Sequence, residues 1–153
     1  RVSLFVSGCT HHCPGCFNEV AWDFGYGEPF TQQTIDLILD MLRPDYIRGL
    51  TLLGGEPFEP ENQQVLVHLL KKIRETYPQK DIWCYSGYLL DKDMQPGGAV
   101  YTEYTKEMLK QIDVLIDGEF VEAKKDLTLI FRGSSNQRIM CLKDGEFAGM
   151  WQK

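Results

Sequence analysis

Apolar positions along this chain follow two rhythms in turn. Val2, Leu4 and Val6 alternate with Ser3, and Phe5 adds an apolar residue on the other side, so residues 1–7 are predicted to form a strand covered on both faces and ended by Gly8. Ile35, Ile38, Leu39 and Leu42 then fall at i, i+3, i+4 and i+7, the stripe of a helix capped by Thr31 and stopped by Pro44. Residues 49–53 make a short apolar strand running into Gly54-Gly55-Glu56-Pro57. A second helix follows from about Pro60, with Leu66, Leu69, Leu70 and Ile73 on one face and Pro78 at its end. Ile82, Trp83, Cys84 and Tyr85 have a buried-strand composition broken by Gly87. Tyr101, Tyr104, Met108 and Ile112 mark a third helix over 101–112, and 114–116 the next strand.

Strands alternating with helices predict βα units, four of them, with a parallel sheet and right-handed crossovers. The tail changes character. Leu127, Leu129 and Phe131 alternate, 132–136 turn, and 137–143 read as a strand before Asp144-Gly145, so extra strands and a terminal hairpin are expected. The expected fold class is therefore α/β. A full eight-fold barrel takes about 250 residues, and this chain has 153, so an incomplete, TIM-like barrel with mostly parallel strands is the largest version available. The length suits one domain over 1–153, with no internal repeat and no low-complexity tract. Arg1 leads straight into a strand without an initiator Met, and further residues are expected upstream.

Composition narrows the function classes. A hydrophobic share of 43% with 25% charged residues is that of a globular chain rather than a disordered one. Sixteen basic against 22 acidic residues give a net charge of −6, with the basic residues scattered, which argues against a nucleic-acid partner. No apolar run approaches the ~20 residues of a membrane span, so no membrane association is expected. Five cysteines, three of them within eight residues, are poor disulfide arithmetic. They suit a metal or cluster site in a reducing cytoplasm.

Residues 9–30 form a long stretch without clear period, rich in Cys, Gly, His, Pro and aromatic residues, and long loops inside small domains usually carry function. Cys9, Cys13 and Cys16 give a Cys-x3-Cys-x2-Cys spacing just past the first strand. In parallel sheets and barrels ligands sit at that end of the strands, so the three sulfurs are expected to ring the mouth. Thiolates suit iron–sulfur clusters, zinc or copper(I). A structural zinc wants four closed ligands, and His11 or His12 would have to supply the fourth from a cramped place. A [4Fe–4S] cluster held by three cysteines leaves one iron open for chemistry. Cys84 and Cys141 read as small hydrophobes, and Trp22, Trp83 and Trp151 as core or interface aromatics.

Cys-x3-Cys-x2-Cys after the first strand, with Gly54-Gly55-Glu56-Pro57 after the second, resembles the radical S-adenosylmethionine superfamily. Leu4-Phe5-Val6-Ser7-Gly8-Cys9, Cys13-Pro14-Gly15-Cys16-Phe17-Asn18, Asp81-Ile82-Trp83, Asp117-Gly118-Glu119-Phe120 and Arg132-Gly133-Ser134-Ser135-Asn136-Gln137 are similar to the activating proteins of anaerobic ribonucleotide reductase. The resemblance implies an enzyme in which Cys9, Cys13 and Cys16 hold three irons and the fourth iron binds S-adenosylmethionine. It implies cofactor contacts from Gly15, Cys16 and Phe17 beside the adenine, from Gly54, Gly55 and Glu56, and from Asp117; Ser86, a polar residue at the third strand's end, reads either as a further cofactor contact or as part of a plain turn. It further implies reductive cleavage of S-adenosylmethionine, a glycyl radical on the large reductase subunit, and a low-potential electron donor such as a flavodoxin. The chain departs from relatives in two places: Gly15 stands where many superfamily members have an aromatic, and Glu119 where related pyruvate formate-lyase activases have a lysine. Two other readings stand beside this one: a radical enzyme with a small-molecule substrate, and a metal-stabilised electron carrier or binding module.

Overall fold

The computed structural model describes residues 1–16 and 19–152. Its elements run β1 (Val2–Val6), α1 (Gln32–Leu42), β2 (Gly49–Gly54), α2 (Pro60–Thr76), β3 (Asp81–Tyr85), α3 (Thr105–Gln111), β4 (Val114–Asp117), β5 (Arg138–Lys143) and β6 (Glu146–Met150). The six strands form one sheet in sequence order. β1 to β4 are parallel, with Val2 opposite Leu50, Leu50 opposite Ile82, and Cys84 opposite Leu115. β5 lies antiparallel to β4 and β6 antiparallel to β5. The expected α/β class is thus observed, with an open sheet whose edges are β1 and β6.

Each element follows from local chemistry. The Thr31 N–H donates to Thr34 Oγ1 at 3.1 Å, closing the first turn of α1 where the sequence placed its cap. Pro60 opens α2, a position where its missing N–H costs nothing. Leu66, Val67, Leu69, Leu70 and Ile73 of α2 are buried against the strands, whose Leu50, Leu52, Ile82, Cys84 and Leu115 are fully covered. Burying one such leucine is worth about 1.5–3 kcal/mol, so this face carries much of the fold's stability. Gln63 is a buried polar exception on α2. Its amide donates to Phe58 O and Val100 O, and its carbonyl accepts from Thr102 and Thr105, so every polar atom is matched.

Three expectations are corrected. α3 begins at Thr105 rather than Tyr101, because Thr102 turns its hydroxyl back to Gln63 and caps the segment with a side-chain bond to the Tyr104 N–H. Of the four βα units expected, the first three carry their helix, while the fourth is β4 followed, among the described residues, only by a 3-10 turn at Glu122–Lys124 before β5. The alternation at 127–131 is not a strand: Asp126 Oδ1 accepts from the Thr128 N–H and hydroxyl, which pins a turn, and Leu127 is 87% exposed. The terminal hairpin is present. Asp144 and Gly145 have φ of 53° and 82°, the left-handed pair a two-residue hairpin needs.

Candidate functional site

Parallel strands deliver their C-terminal ends to one edge of a sheet, and here those of β1, β2, β3 and β4 carry the residues singled out by the sequence. Past β1 the chain doubles back, with Gly8 N–H donating to Ala21 O at 2.7 Å and Cys9 N–H to Trp22 O at 3.2 Å. The end of β2 passes directly beneath: Gly55 N–H reaches Val6 O, and Glu56 N–H reaches Gly8 O at 2.8 Å. A Cβ on Gly55 would lie 2.7 Å from Gly8 O and 2.8 Å from Ala21 O, and Gly54 has φ of 109°. The two glycines are thus required first by this chain crossing, a cause the sequence did not reveal.

A cavity of about 490 Å³ opens at this edge. Cys9, Cys13 and Cys16 share its wall with Gly54, Gly55, Glu56 and Ser86. Gly15 and Asp117 are not on that wall. Gly15 sits at φ 77° against the Glu122 carboxylate, and Phe17 lies outside the described residues. Asp117 is fully buried, its carboxylate gripped by Arg138 through Nε at 2.9 Å and Nη2 at 2.5 Å, and capped by the Leu90 N–H. It fixes the end of β4 onto β5, while its neighbour Gly118 faces the cavity.

Glu56 is the hub. Its Oε1 accepts from His11 Nε2 at 2.9 Å and Gly87 N–H at 2.7 Å, and its Oε2 from Phe58 N–H and Ser86 Oγ, both at 2.8 Å. Four donors fill a carboxylate that is 1% exposed, which is how a buried charge is tolerated. Ser86 therefore serves Glu56 with its hydroxyl. Sequence reasoning missed several neighbours. Trp22 lines the cavity and stacks on His12 with rings 4.4 Å apart. Glu59 accepts from the hydroxyls of Thr10 and Tyr88, and nothing in the linear pattern marks these side chains as neighbours.

The electrostatics follow from burial among carboxylates. Burial pushes the Cys9 thiol up to about 11, and Glu56 adds to this, while the His11 and His12 backbone N–H groups oppose it. Cys13 is also raised, by burial and then by Glu119. Burial works against charge on His11, yet Glu56 and then Glu119 outweigh it and lift the imidazole to about 9.

Comparison with known proteins adds names to this geometry. The family model described as "4Fe-4S single cluster domain" matches residues 1–140. An anaerobic ribonucleoside-triphosphate reductase-activating protein from Escherichia coli (strain K12) is 41% identical over 145 residues, covering 94% of this chain and 89% of that one. Proteins of the same name from Enterobacteria phage T4 and Pasteurella multocida (strain Pm70) are 39% and 42% identical, covering 86% and 85% of those chains. The chain belongs to this reductase-activating protein family. No solved structure matches it.

Members of a 4Fe-4S family need soft ligands, and the donor set fits. No disulfide joins any of the cysteines among the described residues, and three of them share one cavity wall. Among the described residues no group of three or more His, Cys, Asp or Glu is placed to hold a metal ion. Among the described residues no helix is long and apolar enough to cross a membrane.

Proposed function

We propose that this protein is the activating enzyme of an anaerobic ribonucleoside-triphosphate reductase, with Cys9, Cys13 and Cys16 as the ligands of a [4Fe-4S] cluster and S-adenosylmethionine as its co-substrate. The cluster's chemistry, when bound, is to pass one low-potential electron into the sulfonium, so that the 5′-deoxyadenosyl fragment removes a hydrogen from a glycine of the reductase. The chain's own residues bind, orient and exclude water. Gly54 and Gly55 offer backbone groups to the amino acid end of the nucleotide, and Cys16, which lines the cavity, borders the adenine. Glu56 and Ser86 hold that wall rigid by their mutual hydrogen bond. Asp117 acts through Arg138, which keeps the end of β4 and Gly118 in place.

An open sheet suits this reaction, because a segment of a second protein has to reach the cavity from outside. The reductase is accordingly the protein substrate, a flavodoxin-like donor supplies the electron, and the single domain works in the cytoplasm. The observation that carries this reading is that the three cysteines and the Gly54-Gly55-Glu56 turn line one cavity in a chain about 40% identical to named activating proteins. Anoxic reconstitution with iron and sulfide, followed by reduction with S-adenosylmethionine, should yield 5′-deoxyadenosine. Adding the reductase should give a glycyl radical doublet by electron paramagnetic resonance. A wild-type protein that takes up no iron, or releases no 5′-deoxyadenosine when reduced, would overturn the proposal.

A further inference from the structure

The segment between the first two cysteines is short, polar and held far more tightly than a surface loop needs to be. At its centre the His11 side chain is only 6% exposed. Its Nε2 meets Glu56 Oε1 at 2.9 Å, and its Nδ1 meets Glu119 Oε1 at 2.8 Å, so both ring nitrogens are taken up by carboxyl groups. One partner stands at the end of β2 and the other just beyond β4, so a single imidazole ties the cysteine loop to two separate strand ends.

The surroundings are shaped to that ring. Tyr88 packs on it with centroids 4.1 Å apart. A Cβ on Gly87 would lie 2.6 Å from His11 Nε2 and 2.8 Å from its Cδ2, and Gly87 has no positive φ to account for a glycine there. The preceding residue is held in the same manner, since the Thr10 hydroxyl donates to Glu59 Oε1 at 2.8 Å and lies 3.0 Å from the Tyr88 hydroxyl. The two arms of the clasp differ. Glu56 is 1% exposed with all its acceptor sites filled, whereas Glu119 is 56% exposed. The inner arm is the stronger one, because a charge-assisted bond gains when water is excluded.

We propose that His11 is a positioning residue for the cluster, a two-armed clasp between Glu56 and Glu119 that sets where Cys9 and Cys13 stand and, having both nitrogens committed, is not itself a ligand. This rests on the proposed cluster for its function, but the clasp itself is a property of the metal-free chain. Groups that orient ligands from outside the first shell typically change metal affinity about 10–100-fold when removed.

Two measurements test it. In the metal-free wild-type protein, nuclear Overhauser contacts should place the His11 ring against the Gly87 amide and the Tyr88 ring, and those contacts should be lost in Gly87→Ala. A wild-type His11 ring without those contacts would overturn the clasp, whatever the protein does with iron. In anoxically reconstituted protein, His11→Ala should release iron to a chelator at least about 10-fold faster than wild type and broaden the reduced cluster's resonance spectrum. His11→Gln, whose amide can still donate to Glu56, should recover most of the retention. Gly87→Ala should mimic His11→Ala by pushing the ring off Glu56, with the urea midpoint of each variant recorded to separate loss of fold from loss of iron. Iron release and spectrum unchanged in both His11→Ala and Gly87→Ala would overturn the proposal, as would a nitrogen hyperfine coupling to the cluster that vanishes in His11→Ala.

Discussion

The helix-covered face of the sheet and the cysteine loop at its end are built on opposite principles. On the first, Leu50, Leu52, Leu69, Leu70, Ile73 and Ile82 are fully buried, and stability comes from apolar area that no single hydrogen bond controls. On the second, Cys9, Thr10 and His11 are held by carboxylates of the β2–α2 connection and by backbone bonds to 21 and 22. The first tolerates any residue of the right shape, while the second needs particular donors at particular atoms. A packed slab thus carries a loop whose three cysteines are the proposed metal ligands.

The sharpest way to separate the two is to damage one at a time. Cys9→Ser, Cys13→Ser and Cys16→Ser should each abolish a stable cluster, seen as loss of iron and sulfide per chain. Leu70→Ala should cost about 2–5 kcal/mol in urea unfolding, because the side chain is fully enclosed, while the surviving folded protein still takes up iron. Glu56→Gln lies between the regions and should cost about 1.5–3 kcal/mol, since it removes the charge that four donors share. Cys84→Ala should cost about 1 kcal/mol and leave iron per chain unchanged. The Cys84 thiol is fully buried on the packed face, where burial and then Glu56 hold it well above the usual range, so it should also resist alkylation until the chain unfolds. Leu127→Ala should change stability by less than about 0.5 kcal/mol, because that side chain is 87% exposed.

The packed face was legible in the sequence because its rules are local and periodic. The stripe Leu66, Leu69, Leu70 and Ile73 follows the helical repeat, and these same residues are the ones buried. Where side chains compete for backbone partners the pattern misled. The alternation at 127–131 satisfies a strand's rhythm, but Asp126 takes the Thr128 N–H and no neighbouring strand pairs there among the described residues. The helix over 101–112 lost its first turn to Thr102 and Gln63 for the same reason.

The site divides in a similar way. Three thiols at fixed spacing announce soft-metal chemistry by their identity, and their place after β1 follows from the alternation of strands and helices. Partnerships across the fold carry no such mark. That Glu56 answers His11, 45 residues away, and that Glu119 answers it from 108 away, arises only when parallel strands bring their ends to one edge. The same holds for Asp117, whose carboxylate belongs to Arg138 on the antiparallel strand rather than to the cavity. By itself, then, the sequence determined which elements form and which atoms can bind metal, since propensity and ligand softness belong to residues. The tertiary structure alone decided which charges meet, because Coulomb and hydrogen-bond energies depend on distance and burial, and neither exists until the chain has closed.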